Sequence, residues 1–172
     1  MSISPSRTVA AFVAVSLALV LQVSVFSHLA WQGVVPNLVL LVVVGAAFVH
    51  GAEFAIVLGF MAGLLLDLAP PADHVAGRWA LALIVVGYVA GRMRASGRPS
   101  LATMVGTAVA CSFVGTSVFA ISGMVLRDSA VSVPGLLQLL LVALVWDLVL
   151  APLVLPLVLA LFARAEPDHA LA

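Results

Sequence analysis

The chain has 172 residues, 65% of them hydrophobic and only 8% charged, with seven arginines balanced by seven acids and a mean hydropathy of +1.31. Soluble domains carry about 25% charged residues, and no charge separates Arg7 from Glu53, so this composition excludes a soluble monomer and describes an integral membrane protein. At roughly 20 apolar residues per crossing the chain holds at most about six or seven spans, with no room for an extramembrane domain, and without a basic run nucleic-acid binding is not indicated.

Arg7 and the apolar run behind it imitate a signal peptide, but His28-Leu29-Ala30 lacks the small residues a cleavage site needs, so 8–28 is read as the first span. Ala10, Ala14 and Ala18 line one face of it with small side chains, either by design for close helix contact or by chance in an alanine-rich chain. Trp31 and Gln32 mark an interface, Gly33 breaks the helix, and Pro36-Asn37 open a second span over 35–49. His50-Gly51-Ala52-Glu53 is the polar turn of a tight hairpin that returns as a third span over 54–69.

On that third span Ala55, Gly59, Gly63 and Asp67 recur every four residues, which puts three small side chains and an acid on one face against which another helix can press. Pro70-Pro71 stop the helix, a polar turn follows to Gly77, and Arg78 begins a fourth span over 78–92 with its own Gly87/Gly91 pair. Arg92, Arg94 and Arg98 sit in the most hydrophilic loop. The fifth span, 101–126, carries scattered hydroxyls that can bond back to helix carbonyls. After the Arg127-Asp128-Ser129 turn the last span, 134–162, contains Asp147, Pro152 and Pro156 and is long enough to cross with a kink or a broken end. The expected fold is therefore all-α, a single polytopic membrane domain over 1–172 with about six transmembrane helices.

Six spans place both termini on one side. With the termini in the cytoplasm, Arg7, Arg92, Arg94, Arg98 and Arg164 lie inside against Arg78 and Arg127 outside, the orientation that the positive-inside rule favours. Asp67 and Arg78 then flank a turn at the outer surface. They form an ion pair that fixes the hairpin, or they belong to a docking or ligand site. Asp147 lies roughly 16 Å along its helix from Leu136, near mid-membrane. It must bond to fifth-span hydroxyls, line a cavity or meet a partner helix.

Support for catalysis is slight. No His/Cys/Glu grouping has metal-ligand spacing on one helix, and phosphate loops, nucleophile elbows and paired magnesium-binding acids are absent. His50 and Glu53 sit in a turn, where a solvated role competes with proton transfer. Cys111, the single cysteine, reads as a small packing residue. No enzyme activity, cofactor or metal is expected.

The stretch Gly59-Phe60-Met61-Ala62-Gly63-Leu64-Leu65-Leu66-Asp67-Leu68, then a turn, then Gly77-Arg78-Trp79-Ala80-Leu81 and an apolar run through Gly87-Tyr88, resembles the signature of the rod shape-determining protein MreD family. Pro36-Asn37-Leu38-Val39-Leu40 is similar to that family's second-span opening, while the Pro70-Pro71-Ala72-Asp73-His74 turn departs from the glycine-containing loop usual there. The resemblance implies a non-enzymatic inner-membrane component of the cell-wall elongation machinery (the elongasome). Its implied partners are MreC, the peptidoglycan synthase RodA with a class B penicillin-binding protein, and MreB indirectly, and it also implies a fold like the S components of energy-coupling-factor transporters. On this reading MreC's membrane helix docks on the Ala55/Gly59/Gly63 face, with Asp67 and Arg78 fixing its outer end. Two other functions compete with it. A vitamin-binding S-component-like subunit would use the Ala10/Ala14/Ala18 face for its transport partner and an outer pocket for the ligand. A proton-coupled transporter would titrate Asp147 or Asp67, but the internal inverted repeats typical of such proteins are missing.

Overall fold

A computed structural model describes residues 5–70, 75–94, 97, 99–126 and 133–165. The turn residues Pro71 to His74, Arg98, and the Arg127-Asp128-Ser129 turn lie outside the described residues. The chain forms six α-helices in order: α1 (Pro5–Ser24), α2 (Leu38–His50), α3 (Ala52–Leu68), α4 (Arg78–Arg92), α5 (Leu101–Val125) and α6 (Val133–Arg164), with a short 3-10 turn, Phe26–Leu29, after α1.

Local chemistry sets several boundaries. The Asn37 side chain accepts the Leu40 amide at 2.9 Å, an N-cap that starts α2 three residues later than the apolar pattern suggests. Ser100 does the same for α5, its hydroxyl accepting the Thr103 amide at 3.1 Å. Gly51, with φ of +85°, carries the chain from α2 directly into α3 in a conformation that other residues rarely adopt. In the last helix, Pro152 and Pro156 lie inside a continuous α-helix of 32 residues.

The short helix α2 is the central column. Val39, Leu41, Val43, Val44, Ala46 and Ala47 are all fully buried, and α1, α3, α4, α5 and α6 each pack against it. A helix apolar on every side is a buried helix, and α2 has only 13 residues. Three helices have the length and composition to cross a membrane: α1, α5 and the Gly135–Arg164 part of α6. At 1.5 Å per residue, α2, α3 and α4 extend only about 20, 26 and 23 Å, short of the ~30 Å hydrocarbon core. The expected six spans thus resolve into three long helices and three shorter ones. Large apolar side chains face outward all round the bundle, among them Phe12, Leu17, Phe60, Phe113, Leu141 and Leu153, as a lipid-facing surface requires.

Candidate functional site

The small-residue face of α3 is in use within the chain. A Cβ added at Gly59 would run into the Leu83 carbonyl of α4, and one at Gly63 into the Ala80 backbone. The contact is reciprocal: Gly87 of α4 sits on the Ala55 carbonyl, and Gly91 sits on Ala52. Ala55 has no exposed surface. Two ladders of small residues therefore interlock backbone to backbone, the close approach that such residues permit. The expectation that this face receives a helix of another chain is corrected, because α4 already fills it. The same holds for Ala10, Ala14 and Ala18, which are buried within the bundle and leave little surface for another chain.

Asp67 and Arg78 lie at one end of this hairpin, both 3% exposed. The N-cap position before α4 is Gly77, whose φ of +98° is left-handed and which has no side chain to cap the helix. Asp67 supplies the cap from the last turn of α3. Its Oδ2 accepts the amides of Gly77 at 2.8 Å and Ala80 at 3.1 Å, and its Oδ1 accepts that of Trp79 at 3.0 Å. A carboxylate at a helix N-terminus satisfies otherwise orphaned donors and meets the positive end of the helix dipole.

Arg78 reaches α5. Its Nη2 and Nε donate to the Phe119 carbonyl at 2.8 and 3.3 Å, and its guanidinium lies 3.9 Å from the centre of the Phe119 ring. Trp79 stacks on the same ring at 4.3 Å. Gly123 makes room for the guanidinium, since a Cβ there would strike it. The acid and the base expected at the hairpin shoulders thus have separate tasks in these contacts: one caps α4, and the other ties α4 to α5. The absence of any Ser, Thr, Asp or Asn at the start of α4 was the sequence signal that its cap had to come from another segment.

Asp147, in the middle of α6, is 1% exposed. An ionised carboxylate at that depth costs at least about 2.5–3.5 kcal/mol unless it is compensated. Ser112 of α5 is its polar neighbour, yet the approach is not a well-formed hydrogen bond, and both Asp147 Oδ1 and Ser112 Oγ are buried without a partner. Asp147 also lines a cavity of about 300 Å³, with Gln22, Asn37, Trp79, Thr116 and Phe119 among the other walls. The cavity is gathered from the C-terminal parts of α1, α3 and α5 and the N-terminal parts of α4 and α6, together with Asn37 just before α2, so it belongs to the end of the bundle that carries the α3–α4 turn. Gln22 is partly engaged, its Oε1 accepting the Val39 amide at 3.4 Å. The Asn37 Nδ2 is buried without an acceptor.

His50 and Cys111 both pack against apolar neighbours. His50 packs edge-on against Phe54 and Phe162, with ring centres at 4.7 and 5.3 Å. Cys111 is a free, buried thiol in the core. Among the described residues no group of three His, Cys, Asp or Glu side chains could hold a metal ion.

No curated protein and no solved structure matches the chain. The family model for rod shape-determining protein MreD matches residues 5–164, nearly the whole length. That span covers the interlocked α3–α4 hairpin, the Asp67 cap, the Arg78 tie and the Asp147 cavity alike, and the chain is accordingly a membrane protein of the MreD family, whose role lies in rod-shape determination.

Proposed function

We propose that the chain is a non-enzymatic inner-membrane component of the bacterial wall-elongation complex, with both termini in the cytoplasm. It docks the membrane helix of MreC and, through it, serves RodA and a class B penicillin-binding protein, with MreB engaged indirectly. The observation that carries this reading is the family match over residues 5–164. A bundle with little mass outside its helices suits an adaptor better than a catalyst.

The docking face must be one that the chain leaves open. Helix α1 fits: it is held on one side, chiefly by α2, and turns Val9, Phe12, Val13, Leu17 and Val20 outward at helical spacing. Bulky knobs of this kind fit the grooves of a single helix from another chain. Asp67 and Arg78 act indirectly, by holding the end of the bundle rigid.

Recovery of MreC from membranes with the tagged chain tests the reading. Wild type should retain MreC, and Phe12→Ala/Leu17→Ala should recover several-fold less at an unchanged unfolding temperature. A wild-type chain that is folded yet brings down no MreC would sink the adaptor role. Equal recovery by the double variant would remove α1 as the docking face.

A further inference from the structure

We propose that the cavity at the α3–α4 turn end of the bundle binds a small cationic amine, with Asp147 as its counter-charge. Three observations converge. The cavity, at about 300 Å³, falls at the lower bound of small-molecule sites and equals the liquid volume of about ten waters. Its walls combine apolar surface from Leu66, Leu139 and Ala143 with the rings of Trp79 and Phe119 and with few polar groups, the usual make-up of a ligand pocket. At one wall stands Asp147, 1% exposed, with only the Ser112 hydroxyl beside it and no well-formed hydrogen bond to Oδ1.

The charge of the ligand follows from what surrounds the acid. Among the described residues that line the cavity, Asp147 is the only ionisable one; Arg78 stands behind the Phe119 wall, held by the Phe119 carbonyl and ring, and does not itself line the cavity. Buried carboxylates are retained when something supplies positive charge or hydrogen-bond donors. The Phe119 ring is already covered by Trp79 and by the Arg78 guanidinium, so the aromatic contact to an ammonium group falls to the other face of Trp79. Thr116 and the unpaired Asn37 Nδ2 can meet a hydroxyl or carbonyl on the same molecule. The amine is either that of a free small molecule or the headgroup ammonium of a lipid entering from the side.

Thermal unfolding of the purified full chain in nanodiscs tests the site. The probes are ethanolamine, tyramine and 2-phenylethylamine, with 2-phenylethanol as the uncharged counterpart of the last. At least one amine should raise the unfolding midpoint by on the order of 5 °C near saturation, and 2-phenylethanol should not. The shift should vanish in Asp147→Asn and also in Ala143→Leu, which keeps the acid and fills the space. In phosphatidylglycerol discs, no shift with any of the amines in wild type would overturn the proposal, as would an equal shift in both variants. Phosphatidylglycerol discs and phosphatidylethanolamine discs separate the sources. A shift in the first and none in the second identifies a lipid headgroup as the occupant, while equal shifts in both identify a free amine.

Discussion

At the scale of single residues, Asp67 illustrates how a charge inside a membrane protein is held by backbone rather than by an opposite charge alone. Three amide donors, those of Gly77, Trp79 and Ala80, converge on its carboxylate. Removing the acid strands them at the start of a buried helix. Asp67→Ala should therefore lower stability by about 2–3 kcal/mol, read as a fall in unfolding temperature on the order of 5–10 °C. Asp67→Asn keeps one carbonyl acceptor but loses the charge that faces the helix dipole, so it should cost about half as much. Thermal unfolding of the two variants checks this, and a change under about 0.5 kcal/mol for alanine would show that the cap is dispensable. The sequence displayed Asp67 and Arg78 as a notable pair, because both charges stand at the edges of apolar runs. It did not display where each one goes. An acid ten residues before a glycine helix start becomes legible as a cap only when the helix is known to lack its own, and a carbonyl acceptor such as that of Phe119 leaves no mark in a sequence.

At the scale of elements, the α3–α4 hairpin is the most tightly joined unit of the chain, and glycine is what permits it. Helix backbones meet at Gly59, Gly63, Gly87 and Gly91, each of which has backbone of the opposite helix where a Cβ would stand. Backbone cannot swing aside as a long side chain can. Gly59→Ala should cost about 1–3 kcal/mol through overpacking, and Gly59→Leu should part the helices and leave little folded protein. A second alanine at Gly87, on the facing helix, should be less than additive, because the first has already opened the gap that the second needs. Unfolding temperatures of the single and double variants would measure that coupling. Undiminished stability of Gly59→Leu would contradict the interlocked contact. The four-residue spacing made the small faces visible from sequence alone. Such spacing declares that something packs closely and is silent about whether the neighbour belongs to the same chain, which is why an internal contact was expected to be an external one. The central place of α2 was equally hidden. A uniformly apolar run reads as a membrane span, and only packing distinguishes it from a column enclosed by five neighbours.

At the scale of the whole molecule, the bundle has two unlike ends, and its orientation decides which partners and ligands can reach the cavity. The turn between α3 and α4, with Asp67, Arg78 and the Asp147 cavity, forms one end, and the α2–α3 turn with Gly51 and Glu53 forms the other. Arg92 and Arg94 belong to the second end, where Arg94 Nη1 comes within 3.4 Å of where a Cβ on Gly51 would lie. Arginine near span ends is held on the cytoplasmic side, so the cavity should open to the outer surface. The native cysteine is buried and can be replaced by alanine for labelling, after which single cysteines at Val75 and Glu53, both exposed, report the two ends. In intact cells from which the outer membrane has been stripped, a membrane-impermeant maleimide should modify Val75→Cys within minutes. Glu53→Cys should react only after the inner membrane is permeabilised. The opposite pattern would invert the bundle, place the cavity in the cytoplasm and leave a periplasmic ligand without access. If the proposed pattern holds, an amine bound at Asp147 comes from the periplasm or the outer leaflet, on the side where the cell wall is built.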